Sequence, residues 1–432
     1  MAPDSLSLDR ILTEITTTNN LPALNHTLKN GLPKESRETI LSSPLASGQD
    51  PLLVLDLRQN TLGVLYILSA RLNTTNGPVP PELVASFCRS FIPDQARLAP
   101  ERVSMLARGI QKLAAVYQNP LFAVAPLRDL VTRYPTHPDA LTTIHPIFLQ
   151  ACISADQLIA ALPVLSIPIA HIIPSLSDLT YNDNLMYHYL GGILFALLKK
   201  WTEAEEYFEI CVTAPGSAPA ALQLEALKKL RLVQLISRGE VLTLPKYVHA
   251  ALPRLLKNTI YTDLFNAYPE NAERLQSILE KEKQTFSTEK NLGLVMQAID
   301  RAPRWTLKKL TATYVTLGLG DIARAVGIQS EDEVRALILS MIETGELSAQ
   351  ISASGTVTFS DPPPQFMRAE VDAVLYNAQA QSEILEELDL QMARSKDFIG
   401  KAASKGQEYG MQDEEMYMAG GSGAWAEDAM FV

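Results

Sequence analysis

Residues 305–360 read WTLKKLTATYVTLGLGDIARAVGIQSEDEVRALILSMIETGELSAQISASGTVTFS, and the order of apolar periods within them decides the fold. Leu307, Leu310, Thr311 and Tyr314 are spaced as one helix. Asp321-Ile322-Ala323-Arg324-Ala325-Val326-Gly327 predicts a short second helix stopped by glycine. Ser330-Glu331-Asp332-Glu333 has the spacing of a capping box. It opens a third helix whose Val334, Leu337, Ile338, Met341 and Ile342 form one apolar stripe. Leu347, Ala349 and Ile351 then alternate, Ala353-Ser354-Gly355 turns, and Val357 and Phe359 alternate back, which predicts a hairpin. Three helices followed by a hairpin are the order of a winged helix, a relative of the helix-turn-helix.

A winged helix raises the question of DNA, because a third helix of this kind often enters the major groove. From Ser330 to Leu347 the chain carries Glu331, Asp332, Glu333, Glu343 and Glu346 against Arg335 alone. Phosphates would repel that surface. The first three acids also suit the positive end of a helix, but no basic surface replaces them. Across the whole chain 37 basic residues face 48 acidic ones, net −11, which excludes a generally basic nucleic-acid binder. Contact with protein is the better use of this unit. Gly318-Leu319-Gly320-Asp321-Ile322-Ala323 formally matches a dinucleotide fingerprint, but no further βαβ units follow, so the glycines are expected to serve a turn.

Upstream, Tyr187-His188-Tyr189-Leu190-Gly191-Gly192-Ile193-Leu194-Phe195 leads through Lys199-Lys200 into Trp201-Thr202-Glu203-Ala204-Glu205-Glu206-Tyr207-Phe208. Gly192, Phe195, Ala204 and Phe208 fall at the offsets of a tetratricopeptide-like helix pair, and Thr202 with Glu205 is expected to cap the second helix. Leu222 to Ile236 predicts a buried helix with Lys228, Lys229 and Arg231 toward water. Further helices are expected over Leu252–Leu256, Tyr261–Tyr268, Leu275–Leu279 and Leu292–Ile299. In the first 180 residues helical spacing comes in pieces. Leu6, Leu8, Ile11, Leu12 and Ile15 mark one helix; Val103, Leu106, Ile110, Leu113 and Val116 another; Leu127, Leu130, Val131 and Tyr134 a third. Eighteen of 27 prolines lie before residue 175, which predicts many short helices stacked as an irregular solenoid.

Downstream, Pro362-Pro363-Pro364 is expected to end the winged unit. Val371, Val374, Ala378, Gln381, Leu385, Leu388 and Met392 then step by three and four, a heptad seam that Leu375 and Ile384 widen. A face this wide suits docking into a bundle of several helices, with folding back onto its own domain as the alternative. Residues of this size stabilise by roughly 1.5–3 kcal/mol each when buried, a gross gain on the order of 10–20 kcal/mol before ordering costs. From Ala402 to Val432 the chain is Gly, Ser, Met and acids and is expected to be a disordered acidic tail, in which Met416-Tyr417-Met418 and Trp425 are a lesser docking candidate.

No catalytic residue, cofactor-binding residue or metal ligand is predicted. Metalloprotease, nucleophile-elbow and P-loop motifs are missing, and His26, His137, His145, His171, His188 and His249 are scattered. His188 reads as a packing residue, and Cys211 as a small buried hydrophobe. Cys88, Cys152 and Cys211 lie far apart, no signal peptide is visible, and the most apolar stretch, Leu158 to Ile173, is broken by Pro163, Pro168 and His171. A soluble intracellular protein without membrane contact is expected.

A helical-repeat region running into a winged helix resembles the PCI domain family, shared by the proteasome lid, the COP-nine signalosome and the initiation factor three complex. The likeness is nearest to the third-subunit family of the signalosome. Tyr187-His188-Tyr189 with Gly191-Gly192, Leu224-Glu225-Ala226 with Lys228-Lys229, and Leu244-Pro245-Lys246-Tyr247 carry it. So do Asn291-Leu292-Gly293-Leu294-Val295, Leu310-Thr311, Leu317 to Ala323, and Met341-Ile342-Glu343 with Gly345-Glu346. It covers residues 185–360 well, and nothing is carried over to the tail. The resemblance implies a mainly α protein: N-terminal helical repeats over 1–180, the tetratricopeptide-like part of a PCI domain over 181–304, its winged helix over 305–362, a bundle helix over 363–400 and a tail over 401–432. It implies a non-catalytic scaffold that supports removal of the ubiquitin-like neddylation mark from cullin-RING ligases, with the isopeptidase in another subunit. Its partners would be other signalosome subunits, in nucleus and cytoplasm, with the cullin ligases reached indirectly. A scaffold of the proteasome lid or of the initiation factor is the alternative, and a winged-helix nucleic-acid binder a further one. By this analogy the assembly surfaces are the hairpin (Leu347, Ala349, Ile351, Val357, Phe359) and the last helix (Val371, Val374, Leu375, Ile384, Leu385, Leu388, Met392).

Overall fold

The computed structural model describes residues 8–74, 79–360, 366–396 and 398–400. Leu6, the proline run 362–364 and the acidic tail lie outside these residues. The chain begins α1 (Leu8–Thr17), α2 (Leu21–Asn30), α3 (Arg37–Ser42), α4 (Pro51–Val54), α5 (Thr61–Asn73), α6 (Pro81–Ser90), α7 (Pro93–Ala96), α8 (Pro100–Val116) and α9 (Leu121–Arg133). Proline occupies the first turn of α2, α4, α6, α7 and α8. There its fixed φ suits the helix and its missing N–H would have had no partner. Five of the early prolines therefore start helices, and Pro126 lies inside α9.

Helix α5 is the axis of this part. Every residue from Thr61 to Leu72 is buried, and α3 and α8 pack along it. Its one cation, Arg71, bonds Asp50 at 2.6 Å. Strand β1 (Ala140–Leu141), α10 (Ile144–Ser154), α11 (Leu158–Leu165) and β2 (His171–Ile172) follow, the two strands pairing in parallel. Next come α12 (Tyr181–Leu197), α13 (Trp201–Thr213), α14 (Ala221–Arg238), α15 (Ala251–Lys257), α16 (Ile260–Ala267), α17 (Ala272–Thr288) and α18 (Leu292–Thr311). The tetratricopeptide-like pair is α12 and α13. A Cβ on Gly192 would sit 2.7 Å from the Phe208 ring, so only glycine permits this approach. Thr202 does not cap α13, which starts at Trp201 behind Lys200.

One turn recurs along the solenoid. Gln118, Asp156, Lys199 and Lys290 all have φ between 51° and 58°. In each case the next residue donates its N–H back across the helix end: Asn119 to the Ala114 oxygen, Gln157 to Cys152, Lys200 to Phe195 and Asn291 to Phe286, at 2.8–2.9 Å. This is the Schellman closure, usually built on glycine. It joins α8 to α9, α10 to α11, α12 to α13 and α17 to α18, so the repeat lies in the turn geometry more than in the sequence.

Helix α18 runs unbroken from the solenoid into the winged unit, through Pro303 and position 304. Then come β3 (Thr316–Gly318), α19 (Leu319–Val326), α20 (Glu331–Glu343), β4 (Ala349–Ile351), β5 (Thr356–Phe359) and α21 (Arg368–Arg394). Gly327, at φ 79°, closes α19 as expected. The strands form one sheet in the order β3-β5-β4. Thus Gly318 ends a strand the sequence reading did not foresee, rather than serving a bare turn between helices. By internal contacts the chain divides into two units, residues 1–341 with 351–357, and residues 342–350 with 358–432.

Candidate assembly surfaces

In α21 the seam is formed and uncovered. Val371 is 44% exposed, Leu385 62% and Leu388 49%, and no residue of the helix is buried. Val374, Leu375, Ile384 and Met392 are likewise exposed. Two apolar residues outside the expected set, Tyr376 and Leu390, are exposed as well. They lie fourteen positions apart, on the face opposite the seam, so the helix offers apolar contact on two sides. That spacing was the signal available for them in the sequence. Six carboxylates and two arginines are among the remaining positions, and Arg368 reaches Asp372 at 3.9 Å.

The hairpin departs from the expectation. Leu347, Val357 and Phe359 are buried within the chain, so their side chains do not form an outer contact surface. Ala349 and Ile351 are half-buried. The physical reason is the pleat: alternate residues of β5 turn inward, and a sheet this small spends them on its own core. With β5 in the middle, β4 is an edge, and what it can offer a partner is backbone N–H and C=O groups. The outer face of α20 is acidic, with Glu331, Asp332, Glu333 and Glu343 exposed beside Arg335.

The solenoid holds a polar belt that the sequence reading placed in water. Lys228, Lys229 and Arg231 are buried, because α14 is enclosed by α12, α13, α15 and α18. Each cation finds partners. Lys228 Nζ donates to Glu225 at 2.7 Å and to Glu289 at 2.9 Å, and lies over the Tyr261 ring. Glu289 also accepts from the Tyr261 hydroxyl at 2.6 Å. Burial raises the Glu289 carboxyl, but the hydrogen bonds from Lys228 and Tyr261 outweigh it and hold the group below its ordinary range. Arg231 donates to Gln234 at 2.8 Å and to the Leu242 carbonyl. Glu205, expected as a cap, is buried and accepts from Arg238 Nε at 2.9 Å and Gln234 at 3.1 Å.

These groups tie α13, α14 and α17 together, and nothing in their geometry is a nucleophile–base pair. Cys211 is fully buried, and burial pushes its thiol up to about 12, which leaves it protonated and inert. His188 is buried against Tyr187 and Tyr207. Among the described residues no three His, Cys, Asp or Glu side chains converge as metal ligands, and no helix is long and apolar enough to cross a membrane.

Comparison with known proteins matches both halves of this architecture. Residues 27–252 match the family described as COP9 signalosome complex subunit 3, N-terminal helical repeats. The chain belongs to the COP9 signalosome subunit 3 family. Residues 271–361 match the PCI domain. The chain is 32% identical over 364 residues to the COP9 signalosome complex subunit 3 of Dictyostelium discoideum, covering 81% of this chain and 86% of that protein. It is 31% identical over 376 residues to the subunit 3 of Arabidopsis thaliana, covering 83% and 86%. In this subunit 3 family member the PCI match begins at α17, and the repeat match takes in α12 and α13, the tetratricopeptide-like pair.

Proposed function

We propose that the chain is a non-catalytic scaffold subunit of a signalosome, held among the other subunits by α21 and by the open edge of β4. One observation carries the docking: an amphipathic helix of 27 residues keeps its whole apolar seam exposed. An isolated helix is marginal in water, and a seam of this width gains most inside a bundle of other helices. The polar belt serves the scaffold role by making the solenoid stiff. Paired buried charges hold α13, α14 and α17 in one arrangement. In this reading the protein supports deneddylation of cullin-RING ligases by a catalytic centre on another subunit, in nucleus and cytoplasm. Affinity purification with mass spectrometry tests it. Signalosome subunits should be recovered in stoichiometric amounts. Recovery of proteasome-lid particles or initiation factors without them would overturn the assignment.

A further inference from the structure

The helical repeat contains a cavity of about 510 Å³ that the scaffold role leaves unused. Its walls are largely apolar and include Ile193, Leu197 and Leu294. Three lysines line it, Lys199, Lys229 and Lys290. Lys199 and Lys290 stand at the recurrent left-handed turns after α12 and α17, so the same closure that joins the hairpins brings both to this rim.

Lys229 differs from the other two. It is 4% exposed, and its Nζ donates to Asn291 Oδ1 at 2.5 Å and lies over the Tyr189 ring. Both partners are neutral. The neighbouring Glu289 is committed to Lys228 and Tyr261, and Glu225 to Lys228. The ammonium thus has three donors, a neutral acceptor and an aromatic face, in an apolar chamber large enough for a small molecule.

We infer that this cavity binds a small amphipathic carboxylate, its chain against Ile193, Leu197 and Leu294 and its head on Lys229 Nζ, with Lys199 and Lys290 at the rim. Charge complementarity selects the anion, since three cations face the single carboxylate of Glu289. A bound carboxylate would supply the countercharge that the buried amine lacks. Burial holds the Lys229 amine down at about 8, with Lys228 and Lys290 acting in the same direction against Glu225 and Glu289. An anion at Nζ raises it again, so binding takes up a proton near pH 8. Affinity then falls as pH rises through that value and should be about tenfold weaker at pH 9 than at pH 7.

Calorimetric titration of the full chain with octanoate tests this, with octan-1-ol as the neutral comparison. Octanoate should bind one to one, with proton uptake near pH 8 and the stated loss at pH 9. Lys229→Met should weaken octanoate at least tenfold and leave octan-1-ol unchanged. Ile193→Trp, which narrows the chamber and keeps the lysine, should weaken both ligands. Absence of octanoate binding, pH-independent affinity, or full binding by Ile193→Trp would each overturn the inference, whether or not Lys229→Met folds. So would full octanoate binding by a folded Lys229→Met.

Discussion

Replacing Leu385 and Leu388 together by Asp separates docking from folding. Both side chains are already about half exposed or more, so the chain's own fold should lose only about 0.5 kcal/mol per site, mostly helix propensity. Docking loses far more. Full burial of a leucine is worth about 1.5–3 kcal/mol, and roughly half of that remains to be gained at each position. The pair therefore forfeits about 2–3 kcal/mol of apolar burial, and two carboxylates entering an apolar bundle add a desolvation cost of several kcal/mol. At 1.4 kcal/mol per factor of ten, affinity for the complex should drop a thousandfold or more. Tagged wild-type and variant chains would be compared by co-purification, with far-UV circular dichroism and thermal melting as the control. Normal recovery of partners by the variant would refute the reasoning. So would a melting temperature lowered by many degrees, since the seam would then be packing against its own chain.

Other expectations concern the solenoid. Gly192→Val should destabilise by about 1–3 kcal/mol through overpacking against Phe208, and Phe208→Leu should relieve part of that loss, as read from urea midpoints. Glu289→Ala should cost about 2–4 kcal/mol, because it leaves the Tyr261 hydroxyl and half of the Lys228 bonding without an acceptor. Lys228→Met combined with Glu289→Met should recover only part of it, since no ammonium is left half-partnered, but Glu225 loses its cation and the Tyr261 hydroxyl still lacks its acceptor. His145 is buried and its Nδ1 accepts from the Thr142 N–H, and burial holds the ring down at about 4. The unfolded chain binds that proton near pH 6.5, so the contribution is complete above 6.5 and is lost as pH falls toward 4. It should amount to on the order of 3 kcal/mol in acid titrations of stability, and His145→Gln should flatten that limb. The acidic face of α20 should give no nanomolar DNA binding at physiological salt in a filter or anisotropy assay.

Local chemistry alone was enough for the helices α19 and α20, the glycine stop at Gly327, the hairpin and the seam of α21, because each is written in spacing along a few consecutive turns, whereas α2–α7, α10 and α11 left no such period to read. The amphipathic character of α21 needs no neighbour to define it. Tertiary structure decided what faces water. Lys228, Lys229 and Arg231 sit at positions that a lone helix would expose. They are buried because α14 lies inside a layer of other helices, and their partners Glu289, Asn291 and Leu242 come from distant or looped segments that no period reveals. It also decided that Val357 and Phe359 serve the core, and that four exposed non-glycine residues adopt left-handed turns, since the closing backbone hydrogen bonds between packed helices hold a state that local preference disfavours.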